Sequence, residues 1–443
     1  MLTTAMLEST GVISQYKKGT RNTILCYKKT PEGTISIPCR WRTIPIRFNH
    51  VQFPDPKLAL RADQQKVIDE FETLVKKQVL VAVEKSKQQD PPTSISYNLD
   101  PLYPETCICH AIFGHIYTGF GKSITASIYA ASKCMPILII CMSDAIRKGW
   151  IKTFKDLFGI EPTVASGKNL PHADVCIMTM QTAYSNRYTS ADYIHYGTVI
   201  CDEADTLCTQ LCVNQLLELR PKYFIGLTAT VKRKDGHSKI LNIMWDHPKH
   251  WIKRLKEYRD NCSLRIKLIH TGIVIESFND KNGNLDWTSI AEYLGTLENR
   301  NILIRNLCLL HRDKKGLILC KTKSLAKTLY QILISVGEDV SLYFDKNDTY
   351  LDARIVISTI SKGGRGFDDA SIAKLYDGEK FGFIIKTITL GSESAIDQAH
   401  GRARGDHTLI YTLVDDNRTM RSHAEKERKL EEKRGAIIEE EYM

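Results

Sequence analysis

Between residues 136 and 227 the chain lays down four short runs with scarcely a polar side chain: Pro136–Cys141, Val175–Met180, Thr198–Cys201 and Tyr223–Leu227. A strand that is apolar on both sides must be covered on both faces. That is the pattern of a parallel sheet lying between layers of helices. The segments between these runs include helix formers, Asp144–Phe158 with Trp150, and Asn214–Arg220. The same alternation resumes further on. Asn301–Arg312 and Ser324–Val336 read as helices, and Leu317–Cys320, Val340–Phe344, Ile355–Ser358, Phe383–Thr387 and Thr408–Leu413 read as strands. The expected class is α/β, with two doubly wound parallel-sheet domains in tandem.

The first domain carries chemistry at the ends of its strands. Ile116–Tyr117–Thr118–Gly119–Phe120–Gly121–Lys122–Ser123 follows the apolar piece Cys107–Ile112 and precedes a helix-permissive run, Ile124–Lys133. Two glycines let backbone N–H groups turn inward around a phosphate, and a helix N-terminus adds partial positive charge. In such a cradle Thr118, Gly119, Phe120 and Gly121 form the loop. Lys122 reaches the β/γ-phosphates and the Ser123 hydroxyl holds Mg²⁺. An ordinary turn would explain Gly-x-Gly-Lys-Ser about as well, since Ile116 stands where the full pattern has Gly.

Two further strand ends bear on the choice. Val199–Ile200–Cys201 runs straight into Asp202–Glu203–Ala204–Asp205. In this fold class the C-terminal ends of strands face the ligand. Asp202 can therefore bind Mg²⁺ through water, and Glu203 can orient or deprotonate an attacking water. Gly226–Leu227–Thr228–Ala229–Thr230 places small hydroxyl residues at the next strand end, where they can hydrogen-bond to the acidic pair and report its state.

The chain's 443 residues allow two to three domains, and 43% hydrophobic with 25% charged residues is ordinary for a globular protein. No run reaches the length of a membrane span, and Met1–Gly11 lacks the make-up of a secretory signal. The expectation is a soluble intracellular protein that is not secreted. Thirteen irregularly spaced cysteines read as buried free thiols in a reducing compartment. Cys107-x-Cys109-His110 is the one metal-like cluster, without a matching pair nearby. A net charge of +10 is compatible with a polyanionic partner.

Residues 1–55 look β-rich, with Thr23–Lys28, Gly33–Pro38 and Trp41–Phe48 as strands, and read as a small accessory region. Leu58–Lys85 has helical periodicity, with Gln64 and Gln65 at its start. A glutamine ahead of a phosphate loop can read an adenine edge, or simply lie on the helix surface. Residues 251–300, with Trp251 and a turn at Asn279–Asn284, read as a connecting segment. Trp245 and Trp251 fit either a core or a base-stacking face. Asp415–Met443 is strongly charged and reads as a solvated helical tail. The expected boundaries are 1–55, 56–250, 251–300, 301–415 and 416–443.

Taken in order, Gly-x-Gly-Lys-Ser, Asp202–Asp205 (Asp-Glu-Ala-Asp) and Thr228–Ala229–Thr230 resemble motifs I, II and III of superfamily-two helicases. Gly316–Lys321 resembles motif IV. Ile355–Asp368, with Thr359, Gly364, Gly366 and Asp368, resembles motif V, and Gln398–Arg402 the start of motif VI. The resemblance covers roughly Leu58 to Leu413. Leu60–Arg61 with Gln64, and Ser143–Trp150, are similar to segments of the branch holding DNA-repair translocases and the helicases of large DNA viruses and phages. In motif VI a second Arg usually stands four residues after the Gly. Here that residue is Gly405, beside Arg404.

The resemblance implies two RecA-like lobes using ATP and Mg²⁺. Gln64 and the phosphate loop would bind nucleotide. Lys122, Asp202, Glu203, Arg402 and Arg404 would be catalytic, with Gly366 and Asp368 on a nucleotide-contacting turn. It further implies a nucleic-acid partner, DNA before RNA, held mostly by its phosphates through Thr179, Gln181, Thr182 and Thr359. Replication, repair or transcription proteins would be further partners, and a viral chain would act in the host cytoplasm or nucleus. The expected function is an ATP-dependent DNA helicase or translocase. A duplex translocase, an RNA helicase and a nucleic-acid-binding scaffold with weak ATPase remain the alternatives.

Overall fold

Contacts divide the chain into two units, Met1–Leu255 and Lys256–Met443. The computed structural model describes residues 48–87, 108–231, 236–255, 264–275, 278, 285–344, 349–364, 372–403 and 408–443. It also describes short N-terminal pieces, among them the antiparallel strands Val12–Lys17 and Thr20–Leu25. The expected strand Trp41–Phe48, except for Phe48, and the expected turn Asn279–Asn284 lie outside the described residues.

The first unit is built on a seven-stranded sheet in the order Ile252–Arg254, His110–Ile116, Tyr223–Thr228, Thr198–Asp202, Ile137–Cys141, Val175–Thr179, Thr163–Val164. Every pairing in it is parallel. Successive residues of one strand feed opposite cores. Ile137 and Ile139 pack with Phe71, Tyr129 and Trp150 on one face, and Leu138 and Ile140 pack with Tyr196, Leu216 and Trp245 on the other. This two-sided burial is why the strands read as unbroken apolar runs.

The flanking helices follow local chemistry. Helix Asp144–Phe158 starts where the Ser143 side chain accepts from the Ile146 amide (3.4 Å) and stops at Gly159, whose φ of 72° is left-handed. The helix expected over 214–220 lies instead at Gln210–Leu216, because Thr209 caps it and draws its start forward. Trp245 and Trp251 are core residues. Trp245 stacks on Phe224 (centroids 4.8 Å apart), and Trp251 lies against Phe113 at 4.5 Å.

The second unit repeats the plan: Val340–Tyr343, Ile355–Thr359, Gly316–Cys320, Phe383–Lys386, Leu409–Asp416, Arg265–Val274, Ile437–Tyr442, again all parallel. Two expectations change here. The segment 251–300 is not a connector throughout. Ile252–Arg254 extends the first sheet, Arg265–Val274 is a full strand of the second, and Trp287–Thr296 is a helix capped by Asp286. Nor is 416–443 a solvated tail. Helix Arg418–Lys433 buries Met420, Ala424, Glu427 and Glu431, and Ile437–Tyr442 completes the sheet. The ten described cysteines are free thiols, all buried except Cys134. Among the described residues no helix is long and apolar enough to cross a membrane.

The unit is tied together by a fully buried pair. Arg300 donates from Nε to Asp415 Oδ1 (3.0 Å) and from Nη2 to Oδ2 (2.9 Å), while Thr271 donates to the same carboxylate (2.7 Å). The bond pattern links helix Glu298–Leu310 to two adjacent strands. Removing one partner strands the other charge away from water. Asp415→Asn is therefore expected to lower the stability of this unit by about 3–5 kcal/mol in denaturant unfolding. A loss under about 1 kcal/mol would show that the pair does not hold the unit together.

Candidate functional site

Because the first sheet is wholly parallel, the strands ending at Ile116, Cys141, Thr179, Asp202 and Thr228 finish on one edge. The phosphate-loop strand and the acidic strand are separated only by Tyr223–Thr228. Two strand spacings put them about 10 Å apart.

Between His110–Ile116 and helix Lys122–Ala131 the chain turns through Gly119 (φ 94°) and Gly121 (φ 91°). Side chains are disfavoured at both, and at Gly121 a Cβ would stand 2.5 Å from Gln64 Nε2. The following helix has no acidic residue in its first turn, so its N-terminal amides keep their positive end. Lys122 reaches back across the loop to the Tyr117 carbonyl (3.4 Å), and Ser123 is half-buried.

Gln64 is not a surface residue. It is 2% exposed, donates from Nε2 to the Phe120 carbonyl (3.1 Å) and accepts at Oε1 from the Arg61 amide (3.0 Å). Arg61 reaches the same carbonyl from Nη2 (2.6 Å) and lies 5.7 Å from the Phe120 ring centre. Both residues brace the glycine loop through the Phe120 carbonyl. Burial, with Asp63 close by, pushes the Tyr117 phenol up, keeping that ring neutral.

The acidic pair is aimed by its neighbours. Asp202 Oδ2 accepts from the indole Nε1 of the buried Trp150 (2.8 Å), and Oδ1 accepts from the Glu203 amide (3.0 Å). Glu203 itself has φ 51°, a left-handed turn for a non-glycine. Beneath them burial, reinforced by the Asp202 charge, pushes the Cys141 thiol up to about 12.

The hydroxyls at the next strand end bond to a different acid from the one expected. Thr228 donates to Asp205 Oδ1 (2.6 Å) and Thr230 to Asp205 Oδ2 (3.3 Å). The short 3₁₀ turn Ala204–Leu207 swings Asp205 back over the sheet, so it, not Asp202 or Glu203, is the carboxylate they touch. His115 Nε2 lies 3.2 Å from the Ala229 carbonyl, joining this turn to the phosphate-loop strand. Thr179 and Thr182 are mutually bonded (2.9 Å) as the cap of helix Met180–Asn186, with Gln181 exposed beside them.

In the second unit Thr359 ends strand Ile355–Thr359 beside a cavity of about 570 Å³. Lys321, Thr322, Lys323, Ser324, Ser361, Lys362 and Glu292 share its lining. Thr322 caps helix Lys323–Ser335, so that helix's positive end opens there too. The lysines were legible as an alternating basic and hydroxyl run after an apolar strand, but only Thr359 was singled out. Arg402 is 6% exposed and donates from Nε to the Gly363 carbonyl (3.1 Å). Gly366, Asp368, Arg404 and Gly405 lie outside the described residues.

Comparison with known proteins points the same way. Residues 57–233 match the family "Type III restriction enzyme, res subunit". The chain is 25% identical over 312 residues to "Putative helicase 055L" of Frog virus 3, covering 69% of each protein. It is 27% identical over 320 residues to "Probable helicase D10" of Escherichia phage T5, covering 69% of this chain and 66% of that one. Among solved structures, S. cerevisiae Dbp5 bound to RNA and ADP BeF3 shares the fold, with a TM-score of 0.50 at 14% identity over 82% of this chain and 93% of that one. With two RecA-like parallel sheets and these matches, the chain resembles superfamily-two helicases, the viral and phage ones among them.

Proposed function

We propose that the chain is a nucleic-acid-dependent ATP hydrolase that moves along or unwinds DNA. The reading rests on one arrangement. A left-handed glycine loop at a helix N-terminus and an acidic pair whose Asp202 is held by Trp150 finish on the same sheet edge. Two inward-turning glycines fit a polyphosphate. The half-buried Ser123 hydroxyl and the Asp202 carboxylate are hard oxygen donors that fit Mg²⁺, directly or through water.

When bound, Mg²⁺-ATP supplies the transferable phosphoryl group and a divalent charge to offset its negative oxygens. The loop amides of Thr118 to Gly121 would hold the phosphates. Lys122 would release the Tyr117 carbonyl to reach the β/γ oxygens. Gln64, braced against Phe120, would present its amide to the adenine edge. Glu203 would orient the attacking water and take its proton, with Asp202 held in place by Trp150. By their resemblance to motif VI, Arg402 and Arg404, two residues further on, would stabilise charge on the transferring group, and Gly366 and Asp368 of the motif V segment would contact nucleotide.

The Asp205–Thr228–Thr230 bonds would carry the state of the acidic turn to the neighbouring strand. Nucleic acid would be held by its phosphates at Thr359, Lys321 and Lys362 in the second unit and near Thr179, Gln181 and Thr182 in the first. The similarity of the Leu60–Gln64 segment to the branch holding DNA-repair translocases favours DNA as the track.

ATP turnover by the full chain with single-stranded DNA, duplex DNA and RNA tests this directly. DNA is expected to stimulate most, and no stimulation by any nucleic acid would sink the motor reading in favour of a binding scaffold. Lys122→Ala is expected to cut stimulated turnover by about 100-fold or more while leaving nucleic-acid affinity within about threefold. Turnover that survives this change would remove the phosphate-loop assignment.

The lysines give a separate prediction. Lys321→Ala and Lys362→Ala should weaken binding equally across sequences, each reducing the slope of log affinity against log salt by about 1. An unchanged slope would place the nucleic acid elsewhere.

A further inference from the structure

Four ionisable groups meet in the second unit at a point with no solvent. Lys386 ends strand Phe383–Lys386, His400 ends helix Glu393–His400, and Glu427 and Glu431 lie on one face of helix Arg418–Lys433; the side chains are 0–1% exposed. Glu427 Oε1 pairs with Lys386 Nζ, lies 3.1 Å from His400 Nε2 and accepts from the Thr412 hydroxyl (3.2 Å). Glu431 Oε1 lies 3.3 Å from His400 Nδ1 and accepts from Arg434 Nη1 (2.9 Å). Arg434 also pairs with Asp397 and, at 3.4 Å, with Glu393. The C-terminal helix thus grips helix Glu393–His400 at both ends.

We infer that Glu427 and Glu431 are positioning residues for Arg402, acting by fixing the axial rotation and seating of helix Glu393–His400. Arg402 follows that helix by two residues, and its backbone amide still bonds to the Ala399 carbonyl (3.3 Å). A greasy seam would have held the two helices together just as firmly, since buried ion pairs are poor stabilisers beside well-packed apolar groups. What directed charge contacts add is register. The imidazole is hydrogen-bonded to Glu427 at Nε2, while its Nδ1 lies near Glu431 without hydrogen-bond alignment, and a turned helix would break the first and separate the second.

Burial alone would push the Glu427 carboxyl up, yet the charges of Lys386 and His400 hold it down at about 2. Its contacts with Lys386, His400 and Thr412 offset the cost of burying it, so it needs those partners where they are. The inference rests on the proposed role of Arg402, and the test separates the two.

The full chain is compared with Glu427→Gln and Glu431→Gln. Asp352→Asn serves as a control, breaking the buried Lys315–Asp352 pair of the same unit away from this helix. Amide hydrogen exchange over residues 395–403 is the first readout. It should speed up by about tenfold or more in either glutamine variant and stay unchanged in Asp352→Asn. Nucleic-acid-stimulated turnover is the second. In Glu427→Gln, kcat should fall by about tenfold with KM for ATP within about twofold, and the same change in an Arg402→Ala background should cost nothing further.

Unchanged exchange in a folded glutamine variant overturns the inference, as does equal loosening in Asp352→Asn. Faster exchange with unaltered kcat, or an undiminished loss in the Arg402→Ala background, also overturns it. A parent chain without turnover defeats the functional reading alone, because the exchange result still decides whether the helix is held. If Glu427→Gln does not fold, Glu431→Gln carries both readouts.

Discussion

Every strand of both large sheets runs in the same direction, and the rest depends on that constraint. Parallel strands end together, so groups far apart in sequence share one rim. In the first unit the rim gathers the phosphate loop, the Asp202–Glu203 turn, the Thr228–Thr230 turn and the Thr179 cap. In the second it gathers Thr359, Thr322 and their lysines. The price is that each strand must be apolar on both faces, and the cores on either side meet that demand with alternate residues of the same strands.

On that rim, contacts from neighbouring elements decide where the acidic and loop residues point. Trp150 comes from one helix, Asp202 from a strand, and the bond between them fixes a carboxylate that would otherwise swing. Gln64 and Arg61 do the same for the phosphate loop through a shared carbonyl, that of Phe120. Asp205 stands apart from its two acidic neighbours, since it is spent on threonine hydroxyls. One short sequence, Asp202 to Asp205, therefore faces two ways.

Much of the fold was legible because periodicity and caps agree with the tertiary structure. Asp144–Phe158 runs as read, and the structure shows a serine cap at its start and a left-handed glycine at its end. What escaped was written in polar letters. Arg265–Val274 mixes cationic and apolar residues and reads as surface, yet it pairs on both sides. Helix Arg418–Lys433 is so rich in Glu, Lys and Arg that a solvated reading wins by composition. Only the paired partners on other elements reveal that Glu427 and Glu431 point inward. The burial of Gln64 was not legible for the same reason, as nothing local marks a buried amide. The Gly119–Gly121 turn, by contrast, was visible because glycine at a left-handed turn is dictated by the backbone alone.

The second sheet also imposes an order of assembly. Arg265–Val274 is among the first strands of its unit in sequence, yet both its neighbours, Leu409–Asp416 and Ile437–Tyr442, come from the far end of that unit. During synthesis it emerges with two open edges and waits for nearly the whole unit to follow. Long-range parallel pairing of this kind closes late and slowly. Until then the strand is the segment most exposed to wrong partners, and Arg265, Lys267 and His270 put charge or polarity along it, as edge strands need.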